Sequence, residues 1–381
     1  MGNMPKHLVL VGGGHAHLTA LACVRDLVIA GHRVTVIGPS PYHYYSGMGP
    51  GLLSGIYRPA EARFHVRKMA EDRGAAFLQD RVAVVDPGRR TLRLASGGEI
   101  SYDVASFNTG SEVPRDLFEV RGNTVYPVKP IENLLSARRR VQAGSPRKQF
   151  RVVVVGGGTA GVEIASNLGR LARETGRIAG ITLVTRSSVL FDFPEKARIL
   201  ALASLARWGI TTIEGVAVQT VADEGVRLED GVHLEANLVF VAVGIRPSSL
   251  FRDSGLPTGT DGGMLVNGRL QCTAHPELFG GGDCISLAGS PLKRVGVYAV
   301  RQNRILYENL RAALEDKPLR TFDPGGAYLL ILNLADGTGL FRRERLVWEG
   351  RLAYRFKNFL DRRFMRKFQL SGELDDPHAA V

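Results

Sequence analysis

The chain has 381 residues, 44% of them hydrophobic, enough for more than one buried core. Its 45 glycines lack collagen periodicity and the polar bias of disorder, and three cysteines, at 23, 272 and 284, exclude a disulfide framework or a close-spaced metal cluster. A net charge of +12 asks for an anionic partner, but ten basic and three acidic residues between Arg342 and Lys367 concentrate more than half of it, which excludes a nucleic-acid groove along the whole chain and points to one local patch.

The first residues run at once into an apolar strand at 8–11, leaving no room for a secretory signal. No stretch reaches the 18 or so apolar residues that span a bilayer. A cytoplasmic location is expected. The strand ends in Gly12-Gly13-Gly14-His15-Ala16-His17, followed by a helical pattern over 18–30 and a second strand at 33–37. In such a unit Gly12 permits the tight turn, Gly14 lets backbone approach a pyrophosphate, and the helix N-terminus supplies free N–H groups and a positive dipole end. His17 replaces the usual third glycine.

The pattern recurs at 151–155, with Gly156-Gly157-Gly158-Thr159-Ala160-Gly161, a helix through 173 and a strand at 181–184. This copy has all three glycines. Alternating strands follow each unit, at 82–85, 91–94 and 100–104, then at 216–221, 226–228 and 233–234. Each series closes on a glycine turn, Phe107-Asn108-Thr109-Gly110-Ser111 or Val241-Ala242-Val243-Gly244. Further on, Gly280-Gly281-Gly282-Asp283-Cys284 precedes a helix over 297–314. The fold class is α/β, with two Rossmann-like dinucleotide-binding domains and β-meander insertions. The expected limits are 1–118 with 246–320, 119–245, and a small C-terminal region from 321 to 381.

Over residues 6–320 these motifs resemble the two-dinucleotide-binding-domain flavoproteins, the pyridine nucleotide-disulfide oxidoreductases. Within them the chain looks most like type II NADH dehydrogenases and sulfide:quinone oxidoreductases. The segments Gly12 to His17, Tyr45-Ser46-Gly47-Met48 and Asp361-Arg362-Arg363-Phe364-Met365 look closer still to flavoproteins found beside or fused to selenophosphate synthetase. The resemblance implies FAD and NADPH or NADH as cofactors. It implies that Gly12, Gly14, His15, Ala16, Ser46, Gly47, Val82, Thr109, Gly110 and Asp283 contact the flavin, and that Gly156, Gly158, Thr159, Ala160, Gly161, Glu163, Arg186 and Gly244 contact the nicotinamide nucleotide. Tyr45, Lys129 and Gln302 are the candidates for catalysis.

Disulfide reductases of this family carry their thiol pair after the second strand, where this chain reads Pro39-Ser40-Pro41-Tyr42-His43-Tyr44-Tyr45. There is no thiol there. Where sulfide oxidation would need cysteine in the crossover, Lys129 stands instead. The implied reaction is hydride transfer from nicotinamide to flavin N5, then two-electron transfer to a quinone-like acceptor without a cysteine relay. The alternatives are reduction of a selenium or sulfur species and a flavin-binding partner module. The second unit's second strand ends in Thr185-Arg186-Ser187 with no carboxylate for a ribose 2′-hydroxyl, which favours NADPH.

Phe356, Leu360, Phe364 and Phe368 recur every four residues, with Phe359 beside them, and predict a basic amphipathic helix over 354–368. Its apolar stripe is suited to an anionic membrane surface, which would put the protein peripherally on the inner face of the cell membrane. Packing on the flavin domain, or on a second copy in a homodimer, is the rival reading.

Overall fold

The computed structural model describes residues 4–114, 118–120, 124–145 and 149–375. Two five-stranded parallel sheets carry the fold. The first takes its strands in the order Leu278–Gly280, Val104–Phe107, His7–Val11, Arg33–Gly38 and Ala76–Gln79. The second has Val125–Pro127, Leu238–Val241, Phe150–Val155, Ile178–Thr185 and Thr211–Glu214, the same arrangement except that its outer strand precedes the others in the chain instead of following them. In both, the strand that leads into a glycine loop is central. Leu8, Val9, Leu10 and Val152 to Val155 are buried as unbroken apolar runs, because helices and meanders cover both faces. Each such side chain contributes about 1.5–3 kcal/mol by burial.

Two three-stranded meanders follow as predicted, Val82–Asp86 with Thr91–Leu94 and Glu99–Ser101, and Val218–Ala222 with Gly225–Leu228 and His233–Glu235. The predicted strand at 100–104 is in fact two. Glu99–Ser101 closes the meander, and Val104–Phe107 enters the parallel sheet beside His7–Val11.

The predicted helix at 18–30 is also divided. A 3₁₀ turn His15–His17 leads into Leu18–Ala22, and Cys23 (φ −103°, ψ 13°) separates this from Val24–Ile29. By contrast, Thr159–Thr175 is one helix of 17 residues ending at Gly176, whose φ of 63° is a left-handed cap.

The C-terminal region is larger than one helix. An antiparallel sheet, Leu330–Asn333, Gly339–Arg343 and Leu346–Gly350, precedes the helix Arg351–Phe368. Leu332, Leu334, Leu340 and Val347 join the second core, while Met365 and Phe368 join the first. The region therefore straps the two halves together. Among the described residues, no helix is long and apolar enough to cross a membrane.

Candidate active site

Both glycine loops open on a single cleft of about 2100 Å³, walled by the two sheets' carboxyl ends and by the C-terminal helix. That is more than one drug-sized pocket and has room for two extended ligands. Gly12 has φ +90°, and a Cβ there would overlap the Asn108 carbonyl oxygen; a Cβ on Gly14 would overlap the Asn108 side chain. Both glycines are required by close approach of the backbone. In the second loop, a Cβ at Gly161 would overlap the Gly156 carbonyl oxygen, whereas Gly158 faces open space as the N-cap of Thr159–Thr175 with no side chain capping it. The first turn of that helix thus offers unpaired N–H groups to an anion.

His17 shows why the first loop dispenses with its third glycine. The side chain is fully buried, with Nδ1 2.7 Å from the Gly12 carbonyl oxygen and Nε2 2.8 Å from Ser106 Oγ. It ties the loop to the neighbouring strand. Burial holds its pKa down at about 4 against a weaker upward pull from the Gly12 carbonyl, so the imidazole is neutral at pH 7.

The Gly-Asp turn is fixed from several sides. Asn108 Nδ2 donates to the Gly281 carbonyl (2.5 Å) and its Oδ1 accepts from Ala16 N (3.1 Å), joining the turn to the first loop. Gln302 is buried, and its Oε1 accepts from Gly282 N at 2.6 Å. It lines a small void beside Gly282 and Asp283 and holds the turn by this bond. Ala16 and Gly161 are behind the cleft wall, Ala16 with its N–H given to Asn108 and Gly161 packed against Gly156.

Lys129 and Asp283 do reach the cleft. Lys129 Nζ donates to Asp283 Oδ2 and to Ser111 Oγ, both at 2.8 Å, and Ser111 Oγ donates to Asp283 Oδ2 at 2.8 Å. Burial pushes the Asp283 carboxyl up, but the Lys129 ammonium and these hydrogen bonds outweigh it and hold the carboxyl below its usual range. His15 lies beside this group, with its ring 5.0 Å from His43 and 5.2 Å from Tyr45. Burial lowers the His15 pKa to about 4 and that of His43 well below its usual value.

At the far end the C-terminal helix brings charge into the wall. Lys357 and Asp361 are both buried and paired at 2.6 Å. Lys357 Nζ also donates to the Gly47 carbonyl (2.7 Å), and Tyr45 Oη donates to Asp361 Oδ1 (3.1 Å). Burial, then Asp361, drives the Tyr45 hydroxyl well above its ordinary pKa. Across from them Glu163 Oε1 accepts from Asn333 N at 2.7 Å. Burial raises the Glu163 carboxyl to about 7, with Lys357 opposing. Burial pulls the Lys357 ammonium down, but Asp361 and Glu163 more than restore it, and its pKa lies above the usual value.

The predicted amphipathic stripe is corrected here. The packed face carries Ala353, Lys357, Asp361, Met365 and Phe368, while Leu352, Phe356, Phe359 and Leu360 remain exposed. Asp361 is the single acidic residue of this helix, four residues after Lys357; that spacing was the available signal for an inward ion pair.

Ser46, Gly47, Val82, Thr109, Gly110, Gly156, Thr159, Ala160, Arg186 and Gly244 all line the cleft. Among the described residues no cysteine does. Cys284 is buried against the carbonyls of Phe107 and Gly281, and burial raises its thiol pKa.

Two parallel sheets, each presenting a glycine loop and helix N-terminus to one shared cleft, define an oxidoreductase fold built for a pair of dinucleotides. The chain belongs to the pyridine nucleotide-disulphide oxidoreductase family, whose pattern matches residues 6–305. It is an oxidoreductase with FAD and NAD(P)H as cofactors. It is 25% identical over 347 residues to ferroptosis suppressor protein 1 of Taeniopygia guttata, covering 87% of each chain. It is 25% identical over 364 residues to alternative NAD(P)H-ubiquinone oxidoreductase C1 of Arabidopsis thaliana, covering 84% of this chain and 70% of that one. The fold is similar to that of NDH2 from Plasmodium falciparum in complex with NADH, with a TM-score of 0.78 at 14% identity over 97% of this chain and 98% of the other.

Proposed function

We propose that the protein is an NADPH-preferring dehydrogenase that delivers two electrons to a quinone-like acceptor with no cysteine relay. The observation that carries this reading is the make-up of the cleft wall: no thiol among its described residues, and a buried carboxyl of pKa about 7, Glu163, beside the Lys357–Asp361–Tyr45 group. FAD bound there supplies the two-electron step between nicotinamide and acceptor. The first loop would hold it through Gly12, Gly14, Thr109, Gly110 and Asp283: the two loop glycines let the turn close on Asn108, Gly110 faces open space, and the Asp283 carboxylate is fixed in the wall as a partner. The second loop would hold the nicotinamide nucleotide at Gly156, Gly158, Thr159 and Ala160, with Arg186 toward a 2′-phosphate.

Quinone reduction consumes protons as well as electrons. Glu163 is half protonated near neutral pH and stands in the wall, so its carboxyl can give a proton to an acceptor oxygen; a general acid works best with a pKa near the working pH. One relative is named for ubiquinone as its acceptor, which supports the reading. A selenium or sulfur species, the acceptor implied by the selenium-linked resemblance, finds no thiol in the described wall to relay electrons to it.

The exposed face of the C-terminal helix fits a peripheral site on an anionic membrane. Leu352, Phe356 and Phe359 are 69%, 43% and 52% exposed, among Arg351, Arg355, Arg362, Arg363 and Arg366. The test of the function is anaerobic reduction of the purified yellow protein by NADPH and by NADH, followed by a short-chain quinone. Faster bleaching by NADPH and reoxidation by quinone beyond the rate with oxygen are expected. NADH at least ten times more efficient than NADPH would overturn the nucleotide assignment, and no quinone reoxidation would overturn the acceptor.

A further inference from the structure

At the Gly-Asp turn, charged groups of both signs meet in the cleft wall. The Asp283 carboxylate is held by the Lys129 ammonium and Ser111, and the residue's main-chain carbonyl accepts from Arg294 Nε at 2.9 Å. Arg294 is paired in turn with Asp261 at 2.8 Å. The 19-residue helix Gly296–Leu314 begins next to it, its N-cap Val295 offering no side-chain cap, and Val295, Gly296 and Val297 line the cleft. The two nearby imidazoles, His15 and His43, add no charge at neutral pH because burial keeps both unprotonated.

Two of these positive features are fixed from the outer side. Arg294 is spoken for by Asp261 and the Asp283 carbonyl, and the helix dipole is set by the fold. Lys129 differs: it comes from the crossover between the two sheets, its side chain is 24% exposed, and its ammonium stands at the cleft surface. Without it the Asp283 carboxylate, 14% exposed, would face the cleft with an uncompensated negative charge.

We propose that Lys129 is a positioning residue that sets the redox poise of the bound flavin: its ammonium neutralises Asp283 so that the remaining positive ends favour the electron-rich, reduced cofactor. This rests on the reading of the cleft as the flavin site. Added negative charge on the cofactor is stabilised by a nearby cation and opposed by a nearby anion, and the low-dielectric wall magnifies both. Removing the ammonium therefore makes the cofactor harder to reduce. Removing only the hydroxyl of Ser111 leaves the charge in place and changes little.

The experiment is the flavin midpoint potential, read by equilibration with a reference dye at pH 7, without nicotinamide or quinone. Lys129→Gln keeps an N–H donor for Ser111 and Asp283 while deleting the charge, and Lys129→Met deletes both. Both are expected to lower the equilibrium constant for two-electron reduction about tenfold or more, roughly 30 mV for such a couple. Lys129→Arg and Ser111→Ala should remain within about threefold of the parent. An unchanged potential in Lys129→Gln, or an equal fall in Ser111→Ala, would overturn the proposal and make the triad a scaffold. So would a folded Lys129→Gln that no longer retains flavin, which would make Lys129 a binding residue. A parent protein that holds no flavin would fail at the earlier step, the reading of the cleft itself.

Discussion

The two glycine loops each follow the central strand of a five-stranded parallel sheet, yet they solve the third position differently. In the second loop the helix starts directly after Gly158, close enough to the strand end that a Cβ at Gly161 would overlap the Gly156 carbonyl oxygen. In the first, the chain winds as a 3₁₀ turn and leaves space for a whole imidazole, which bonds Gly12 and Ser106. The third glycine is thus a requirement of helix approach rather than of the ligand. Where the approach relaxes, a side chain that can bond the loop replaces it.

Gly161→Ala should break the second loop most severely. A clash with backbone cannot be relieved by a rotamer change, so reduction by NADPH is expected to fall at least about 100-fold. Flavin content, read from the visible absorbance of the same sample, should persist. Joint loss of both would show that the loops are not separable.

The reciprocal change, His17→Gly, restores the common motif and should still cost about 2–4 kcal/mol in denaturant titrations, through a cavity and two lost hydrogen bonds. It should also alter the pH dependence. Because burial holds the folded pKa of His17 at about 4, below the ordinary 6.5, its unfolded form binds more protons between those values. Its contribution is full above pH 6.5 and is lost as pH falls through 4, by up to about 3 kcal/mol. The variant should lose that part of the acid sensitivity; an unchanged slope would contradict a neutral buried His17.

Glu163 gives the second half its own titration, of opposite sense. Its folded pKa of about 7 exceeds the ordinary 4.5, so it stabilises below pH 4.5 and that contribution is lost as pH rises through 7. Glu163→Gln should slow quinone-dependent reoxidation about tenfold to 100-fold and abolish an inflection near pH 7, while reduction by NADPH proceeds. A retained inflection would assign it elsewhere. A smaller effect is expected from Arg186→Asp, a shift of about tenfold from NADPH toward NADH in kcat/KM. The smallest concerns the outer helix face: Phe356→Ser with Phe359→Ser should weaken sedimentation with anionic vesicles several-fold at low salt and leave turnover of a water-soluble quinone unchanged.

Much of this architecture was legible in the residues because glycine loops, apolar runs and alternating meanders each have a local cause. Both central strands, both loops and both meanders follow from such patterns. What the sequence hid depends on contacts between distant segments. Asn108 stands within a hinge motif, but its partners Ala16 and Gly281 lie 92 and 173 residues away from it along the chain. Gln302 occupies the expected helix, but its bond to Gly282 N joins two segments whose meeting no local pattern shows. The C-terminal hairpin carries Leu330–Asn333 to Glu163, and nothing local in either segment announces that meeting. Lys357 and Asp361 stand four residues apart, a signal for an ion pair on one helix face that a count of net charge passes over.

The most direct test of the central claim, two dinucleotide loops serving one thiol-free transfer, is anaerobic stopped-flow of the Cys23→Ala, Cys272→Ala, Cys284→Ala triple variant. Bleaching of its flavin band by NADPH and recovery on adding a quinone, both at rates within about threefold of the parent, are the results predicted. Normal bleaching followed by loss of recovery in the folded variant would contradict the account, because it would place a thiol on the path to the acceptor.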